Sequence, residues 1–205
     1  GKGALLGVPS GGGGHGGRGG DGQTSPGSGG SPYGASNTPI TAGSGGGSYF
    51  NADHTAGSGS GGGVVRIEAS GTIALAGTLT ANGGQALKAT YSGGGAGGSL
   101  QLACAAFTGA AEGHLSARGG TVTPFPYAAG SGGGGRIALW SGVSAVDREL
   151  ILTNGTPRNA LITTNFALVF PGTVTATNGD GYASTNLNGI GTALLMLGTA
   201  PKGTL

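Results

Sequence analysis

Short runs of glycine alternate with short apolar segments along most of this chain, and this alternation restricts the folds open to it. Glycine supplies 52 of the 205 residues, against a usual share of about 7%. A uniformly glycine- and serine-rich chain stays disordered, because it buries too little apolar surface to offset the entropy lost on ordering. Here 36% of the residues are hydrophobic, and they are grouped between the glycines. The sequence therefore predicts an ordered repeat protein.

One apolar element recurs at a nearly constant spacing, as expected for repeat architectures. Leu79 begins the segment LTANGG, and Leu115 begins LSARGG thirty-six residues later. Ile151 begins a similar segment, ILTNG, at the same interval, and the Asn-Gly pair of a fourth segment, VTATNG, follows that of ILTNG after a further twenty-four residues, from Asn154 to Asn178. The last interval is short because a glycine-rich insertion is missing from it.

A second element recurs at thirty-five residues, with Arg66, Gln101 and Arg136 at equivalent positions. Each repeat is thus interpreted as a strand, a turn and a second strand ending at Asn/Arg-Gly, followed by a glycine-rich excursion. The short segments alternate larger and smaller side chains, which is typical of strands. Asn-Gly is a turn dipeptide that tolerates positive φ.

These patterns predict an all-β protein: a glycine-rich, β-solenoid-like or stacked-strand repeat with extended polyglycine-type segments. No capped helical stripe is recognised, because Gly or Pro interrupts most candidate windows. The glycine runs are expected to pack closely as polyproline-II-like backbones. We divide the chain into a Gly/Ser-rich segment (1–63), the strand and Gly-rich repeat (64–155) and a Thr/Asn/Leu-rich β segment (156–205).

Several glycine-rich segments resemble a repeat module of very large secreted or surface proteins of environmental bacteria. The segments that carry this resemblance include 13–20 (GGHGGRGG), 79–84 (LTANGG) and 132–139 (GGGGRIAL), and it extends over about residues 10–140. The runs are more loosely similar to the glycine-rich module of some animal receptor kinases and of phage tail adhesins, in which polyglycine helices pack side by side. The resemblance implies an extracellular surface or matrix role and carries over no catalytic residues.

Charged residues make up 8% of the chain, and the formal net charge is +2. The basic residues are scattered, so the sequence lacks the basic stripe expected of a nucleic-acid-binding protein. Low charge also removes the repulsion that keeps soluble proteins apart, so we expect association between copies of this chain. Arg66, Glu68, Arg118 and Arg136 occupy repeated positions and are candidates for charge ladders between neighbouring coils or subunits.

The sequence contains no apolar stretch of the roughly 18 residues that a membrane helix needs, and we expect no membrane span. The chain begins at Gly1 rather than Met, so we expect it to be a processed product or part of a longer chain. Together with the resemblance, this favours a protein that is secreted or displayed at the cell surface.

Residues for catalysis, cofactors or metals are not recognisable in the sequence. The three histidines are dispersed, and no two have the spacing of metal ligands. Cys104 is the single cysteine and lies in an apolar run, which is typical of a buried hydrophobic residue. Asp53 and His54 have no identifiable nucleophile in the required context. We therefore expect no enzymatic activity and no cofactor.

The main hypothesis is a structural subunit or segment of an extracellular fibre, filament or cell-surface layer. It would assemble with copies of itself through β-strand edges and Gly-rich packing. The assembly candidates are the apolar residues near the C-terminal end of the sequence: Leu194, Leu195, Met196 and Leu197.

The alternative hypothesis is a surface adhesin that binds glycans through aromatic rings, with Phe125, Tyr127 and Trp140 as candidate contacts. An ice-binding protein is a weaker alternative, because the threonines near residues 72–80 do not recur in every repeat. Asn154 lies in the sequon Asn-Gly-Thr and is a candidate glycosylation site.

Overall fold

The computed structural model describes residues 9–23, 27–51, 54–86, 91–122, 129–153, 155–181 and 189–199. Its strands are β1 (Tyr49–Asn51), β2 (His54–Ala56), β3 (Val64–Glu68), β4 (Thr72–Leu75), β5 (Thr78–Thr80), β6 (Ser99–Cys104), β7 (Ala106–Gly109), β8 (His114–Ser116), β9 (Arg136–Ser141), β10 (Ala160–Thr163), β11 (Thr173–Thr175) and β12 (Thr192–Gly198). Helix α1 covers Ala145–Leu152, and a 3₁₀ helix covers Phe166–Leu168. None of the described helices has the length and apolar character needed to cross a membrane.

The glycine runs between these elements form a bundle of extended segments, called the glycine bundle below. Its segments are residues 10–14, 16–20, 27–30, 43–47, 59–63, 81–84, 93–98, 117–120, 130–135, 176–179 and 189–191. These segments are held together by backbone hydrogen bonds from one segment to another rather than by a sheet ladder.

Segment 93–98 illustrates the geometry of the bundle. Its successive N–H groups donate in turn to segments 43–47, 130–135 and 81–84, and the same cycle then repeats. Every third residue therefore faces the same neighbour, as in a polyproline-II-type helix with three residues per turn. Its carbonyl groups accept bonds from three further segments: 10–14, 59–63 and 117–120. The segment therefore exchanges backbone hydrogen bonds with six other segments of the bundle.

Glycine is required in the bundle because neighbouring backbones approach too closely for a Cβ atom. A Cβ on Gly132 would lie 1.8 Å from the carbonyl oxygen of Gly95, and one on Gly95 would lie 1.9 Å from that of Ser60. Both distances are far inside van der Waals contact. The glycine content of the chain therefore reflects the spacing of its backbones.

The bundle continues directly into the sheets. A five-stranded sheet has the order β10-β12-β9-β6-β3, and its strands are parallel except for β10. A parallel three-stranded sheet has the order β11-β8-β5, β4 pairs in parallel with β7, and β1 and β2 form an antiparallel hairpin. Strands β3, β6, β9 and β12 each follow a bundle segment, and β5, β8 and β11 each lead into one. Packing in the bundle therefore sets which strands become neighbours.

The main core lies on the face of the five-stranded sheet that the other parallel strands cover. Its fully buried members include Leu100 in β6, Leu139 in β9, Leu195 in β12 and Leu115 in β8. Strands β6 and β9 are buried on both faces. Their second face carries both polar and apolar side chains, such as Gln101 and Trp140, and these are buried as well.

Helix α1 and the segment 31–42, called the strap, cover the opposite face of the five-stranded sheet. The Ser144 side chain caps α1 by accepting a hydrogen bond from the N–H of Asp147. Ile151 of α1 packs against Trp140, and the Trp140 indole N–H donates to the carbonyl of Asn37 in the strap at 3.0 Å. The second face of the sheet is therefore closed within the chain.

His15 ties the strap to the glycine bundle. Its imidazole is fully buried, with Nδ1 2.8 Å from the carbonyl oxygen of Gly97 and Nε2 2.9 Å from the hydroxyl of Thr41. Because a carbonyl accepts but never donates, Nδ1 carries the proton and Nε2 accepts from Thr41. Burial lowers the pKa of His15, and the nearby positive charge of Arg136 acts in the same direction.

The prediction of an all-β, solenoid-like fold is wrong. The structure is a mixed α/β fold, in which mostly parallel sheets are combined with a helix. After β9 the chain does not begin another coil: it forms α1, returns as the antiparallel strand β10 and makes a 3₁₀ turn before β11. The segment 144–152 permits a helix because it contains a capping Ser and no Gly or Pro.

The register of the sheets agrees with part of the predicted repeat. Leu79 faces Leu115, at the predicted thirty-six residues, and Leu115 in turn faces Val174. Ile151, predicted to occupy the intervening position, lies instead in α1.

The other repeated element shows a change of spacing. Gln101 faces Arg66, as predicted, but its partner on the opposite side is Ala138. Arg136 faces Ser99 instead, so the second interval is 37 residues long.

Replacing a bundle glycine should be far more costly than replacing a glycine in open space. We expect Gly132→Ala to lower the free energy of unfolding by about 3 kcal/mol, because the added methyl overlaps a backbone carbonyl. Gly77→Ala is the matched control, since a Cβ there meets nothing within 4 Å, and it should stay within about 0.5 kcal/mol of wild type. Chemical denaturation measures both. Equal effects would contradict the packing described for the bundle.

Stability should decrease as the pH falls from about 7.5 to 5, because His15 binds a proton more readily in the unfolded chain, where its pKa is about 6.5. We expect His15→Asn to reduce this pH dependence, as measured by thermal unfolding across the range. His114→Asn, which replaces an exposed histidine, is the matched control substitution. An unaltered slope in His15→Asn would contradict the role of His15.

Candidate functional site

The parallel strands of the three sheets lie in successive layers, called the stack below. Residues 63–80, called the open end, form one side of this stack. They contain β3, β4 and β5, three consecutive strands that each pair with one neighbour in the described sheets. These neighbours are β6, β7 and β8, which form the next layer of the stack. The open end is thus an outer layer with three parallel strand edges.

The apolar side chains of the open end continue the rows of the core but are incompletely covered. Val65 and Leu79 are half-buried and pack against the main core. Their partners in the next layer, Leu100 and Leu115, have no exposed surface. The difference arises because described residues cover the inner layer from both sides and the open end from one.

Within the part of the chain that the structure describes, no strand pairs with the outer edge of β3. Gly63 and Ala69, which flank the strand, both bond to the neighbouring layer. Because residues along a parallel edge strand alternate between bonding to their neighbour and pointing away, Val64, Arg66 and Glu68 turn their N–H and C=O groups outward. Such an edge is a template for pairing with another strand.

The charges of the open end are confined to β3. Arg66 and Glu68 are the only charged residues between positions 63 and 80. They form an exposed ion pair, with Arg66 Nε 3.1 Å from Glu68 Oε1. Hydrogen bonding from Arg66 holds the pKa of Glu68 below its usual value. The edge therefore presents one positive and one negative group side by side on one face of the strand.

The opposite side of the stack is largely closed by the chain itself. Strand β10 covers the outer edge of β12, and the Phe170 ring packs edge-to-face on Phe107 at a centroid distance of 5.6 Å. A groove of about 440 Å³ remains between the 3₁₀ helix and β11, lined in part by Phe166 and Ile190. Among the described residues the two sides of the stack therefore differ: one is a layer of strand edges with nothing paired to it, and the other is covered by β10 and Phe170.

The described residues contain no group of three or more His, Cys, Asp or Glu side chains that could hold a metal ion. Cys104 is fully buried, and burial raises the pKa of its thiol. A raised pKa suppresses the thiolate that nucleophilic chemistry requires. Asp147 is also buried, but its carboxylate accepts hydrogen bonds from the backbone N–H groups of Arg158 and Asn159. The Asp147 carboxylate therefore has structural partners.

The predicted assembly residues lie in β12, between β9 and β10 of the five-stranded sheet. Leu195 and Met196 have no exposed surface, and Leu194 and Leu197 are half-buried. The apolar character that prompted the prediction is therefore accounted for by this chain's own sheet.

The predicted glycan contacts and glycosylation site are only partly visible. Phe125, Tyr127 and Asn154 lie outside the described residues. Trp140 is 3% exposed and is held between the sheet and the strap, so its ring faces are covered by protein.

The three arginines suggested for charge ladders have different partners. Arg118 pairs with Asp180 at 2.6 Å, and Arg136 is buried with hydrogen bonds to the carbonyl of Tyr33 and the hydroxyl of Thr192. Arg66 alone of the three arginines lies on a strand edge at the open end. The sequence singled it out by its repeated position but did not indicate that β3 is an edge strand among the described sheets.

Comparison with known proteins identifies no relative of this chain: no family model, curated protein or solved structure matches it. The resemblance to glycine-rich repeat modules stays a prediction, and the function rests on the geometry of the open end.

Two leucines that face each other across adjacent layers should differ in their contribution to stability. We expect Leu115→Ala to cost about 3 kcal/mol, as for other fully buried leucines. Leu79→Ala should cost about 1 kcal/mol, because part of this side chain already contacts water. Chemical denaturation at low protein concentration measures both values. An equal cost would show that a further layer already covers the open end.

Proposed function

We propose that this chain is a non-catalytic structural module of an extracellular fibre or surface layer, which joins to a second copy of itself through the open end. The observation that carries the proposal is the incomplete burial of Val65, Ile73 and Leu79 on three adjacent strand edges. A second copy supplies strands of the same length and the same apolar rows. Pairing would bury these side chains and satisfy the outward backbone groups of β3.

Charge supports a second copy as the partner. The open end carries one positive and one negative residue, so two copies approach without net repulsion between these surfaces. A strongly acidic or basic partner finds no matching field there. The low charge of the whole chain also favours contact between copies, and it suits a structural material better than a freely diffusing protein.

The glycine bundle suits a mechanical role. Its stability depends on backbone hydrogen bonds distributed over many segments, each with a net contribution of about 1 kcal/mol. Of the three candidate glycan contacts, Trp140 lies within the described residues, and it is buried. We therefore favour the structural role over the adhesin. Secretion or surface display is part of this proposal, and its support is the composition of the chain.

A proline substitution on the β3 edge tests the proposal. Arg66→Pro removes an outward N–H and places a ring on the free edge, a position where folded proteins tolerate proline. We expect it to weaken association between copies at least tenfold, as measured by sedimentation velocity over a concentration series.

Arg66→Ala is the control, because it removes the same side chain and keeps the N–H group. It should associate more tightly than Arg66→Pro, and both variants should melt like wild type at low concentration. Wild-type protein that stays monomeric at millimolar concentration would overturn the proposal.

A further inference from the structure

From the positions of its two charges, we infer that the open end forms a two-fold symmetric joint, in which β3 pairs antiparallel with β3 of the second copy about Ile67. This inference rests on the proposed function and specifies the register of its contact. In this register Arg66 lies opposite Glu68 of the second copy, and Glu68 lies opposite Arg66 of the second copy. The joint is self-complementary, as a two-fold interface must be.

Backbone geometry permits this register. Residues 64, 66 and 68 direct their N–H and C=O groups outward, and pairing about Ile67 places residue 66 of one copy opposite residue 68 of the other. Each outward-facing residue therefore meets another outward-facing residue. A shift by one residue would bring outward-facing residues opposite inward-facing ones and lose the hydrogen bonds of the joint.

Several registers place outward-facing residues opposite outward-facing residues, and the charges distinguish between these registers. A shift that centres the pairing on residue 66 places Arg66 opposite Arg66 of the second copy. A shift that centres it on residue 68 places the two Glu68 carboxylates opposite each other. Like charges directly opposite one another destabilise antiparallel strands, and opposite charges stabilise them. The centre at Ile67 avoids both repulsions and gains two attractions.

The same register brings together the apolar side chains on the core face. Val65 lies opposite Ala69 of the second copy, and Ile67, 37% exposed, lies beside its own equivalent. The two five-stranded sheets then join edge to edge, with their cores on the same side. Each open end is occupied by one partner, so this contact closes a dimer and does not propagate into a continuous stack.

A charge-reversal experiment tests the register. Arg66→Glu gives two negative residues on the edge, and Glu68→Arg gives two positive residues. Each variant alone should dimerise about tenfold more weakly than wild type or worse, because both attractions become repulsions. An equimolar mixture of the two should form a heterodimer, since every charge then faces its opposite. The double variant R66E/E68R should dimerise like wild type.

Sedimentation velocity measures the dissociation constants, and native mass spectrometry of the mixture distinguishes the heterodimer by mass. The recovery in the mixture and in the double variant shows that the single variants are folded. The inference is overturned if the single variants dimerise like wild type, or if mixing them restores nothing. If the register is overturned but wild type dimerises and Arg66→Pro abolishes dimerisation, the proposed function still stands. A wild type that stays monomeric overturns both the proposed function and the register.

Discussion

Contact between bare backbones is the interaction on which the rest of this structure depends. In the glycine bundle, N–H and C=O groups of one segment bond directly to those of its neighbours, at the distances that such bonds require. A side chain would hold the segments apart and break these bonds, as the position of a Cβ on Gly132 illustrates. The glycines therefore act as the packing surface, a role that apolar side chains have in most proteins.

The bundle also determines where the apolar residues can act. Strands β6 and β9 emerge from adjacent bundle segments, 93–98 and 130–135, and therefore lie side by side as they enter the sheet. Each strand is short, so its own ladder would be marginal. Fixed at one end by the bundle, the strands need few residues to build a core. The open end shares this support, which allows a layer with one uncovered side to remain ordered.

Part of this architecture could be predicted from the sequence. The spacing of Leu79 and Leu115 predicted two strands that do lie side by side, because apolar side chains at strand positions mark the sequence clearly. The composition predicted that the glycine segments pack closely, but it did not predict which segments are neighbours. Glycine carries no side chain that identifies its partner, so the three-residue cycle of contacts is invisible in the sequence.

The remaining differences also have physical causes. Ile151 matched the repeat by residue type, but the capped, Gly- and Pro-free segment around it favours a helix, α1. The segment 194–197 was interpreted as an external contact because it is apolar, although any central strand has this character. The sequence did not predict the open end as a candidate site, for a related reason. Whether β3 has one neighbour or two depends on the whole stack and not on its own residues.

The three-residue cycle of the glycine bundle constrains how such a chain can change its length. Inserting one residue into segment 93–98 would rotate all later N–H groups by about 120° and direct them to the wrong neighbours. Inserting three residues would restore the original directions after one full turn. A bundle segment therefore tolerates insertions of three residues, which is one whole turn, and does not tolerate insertions of one residue.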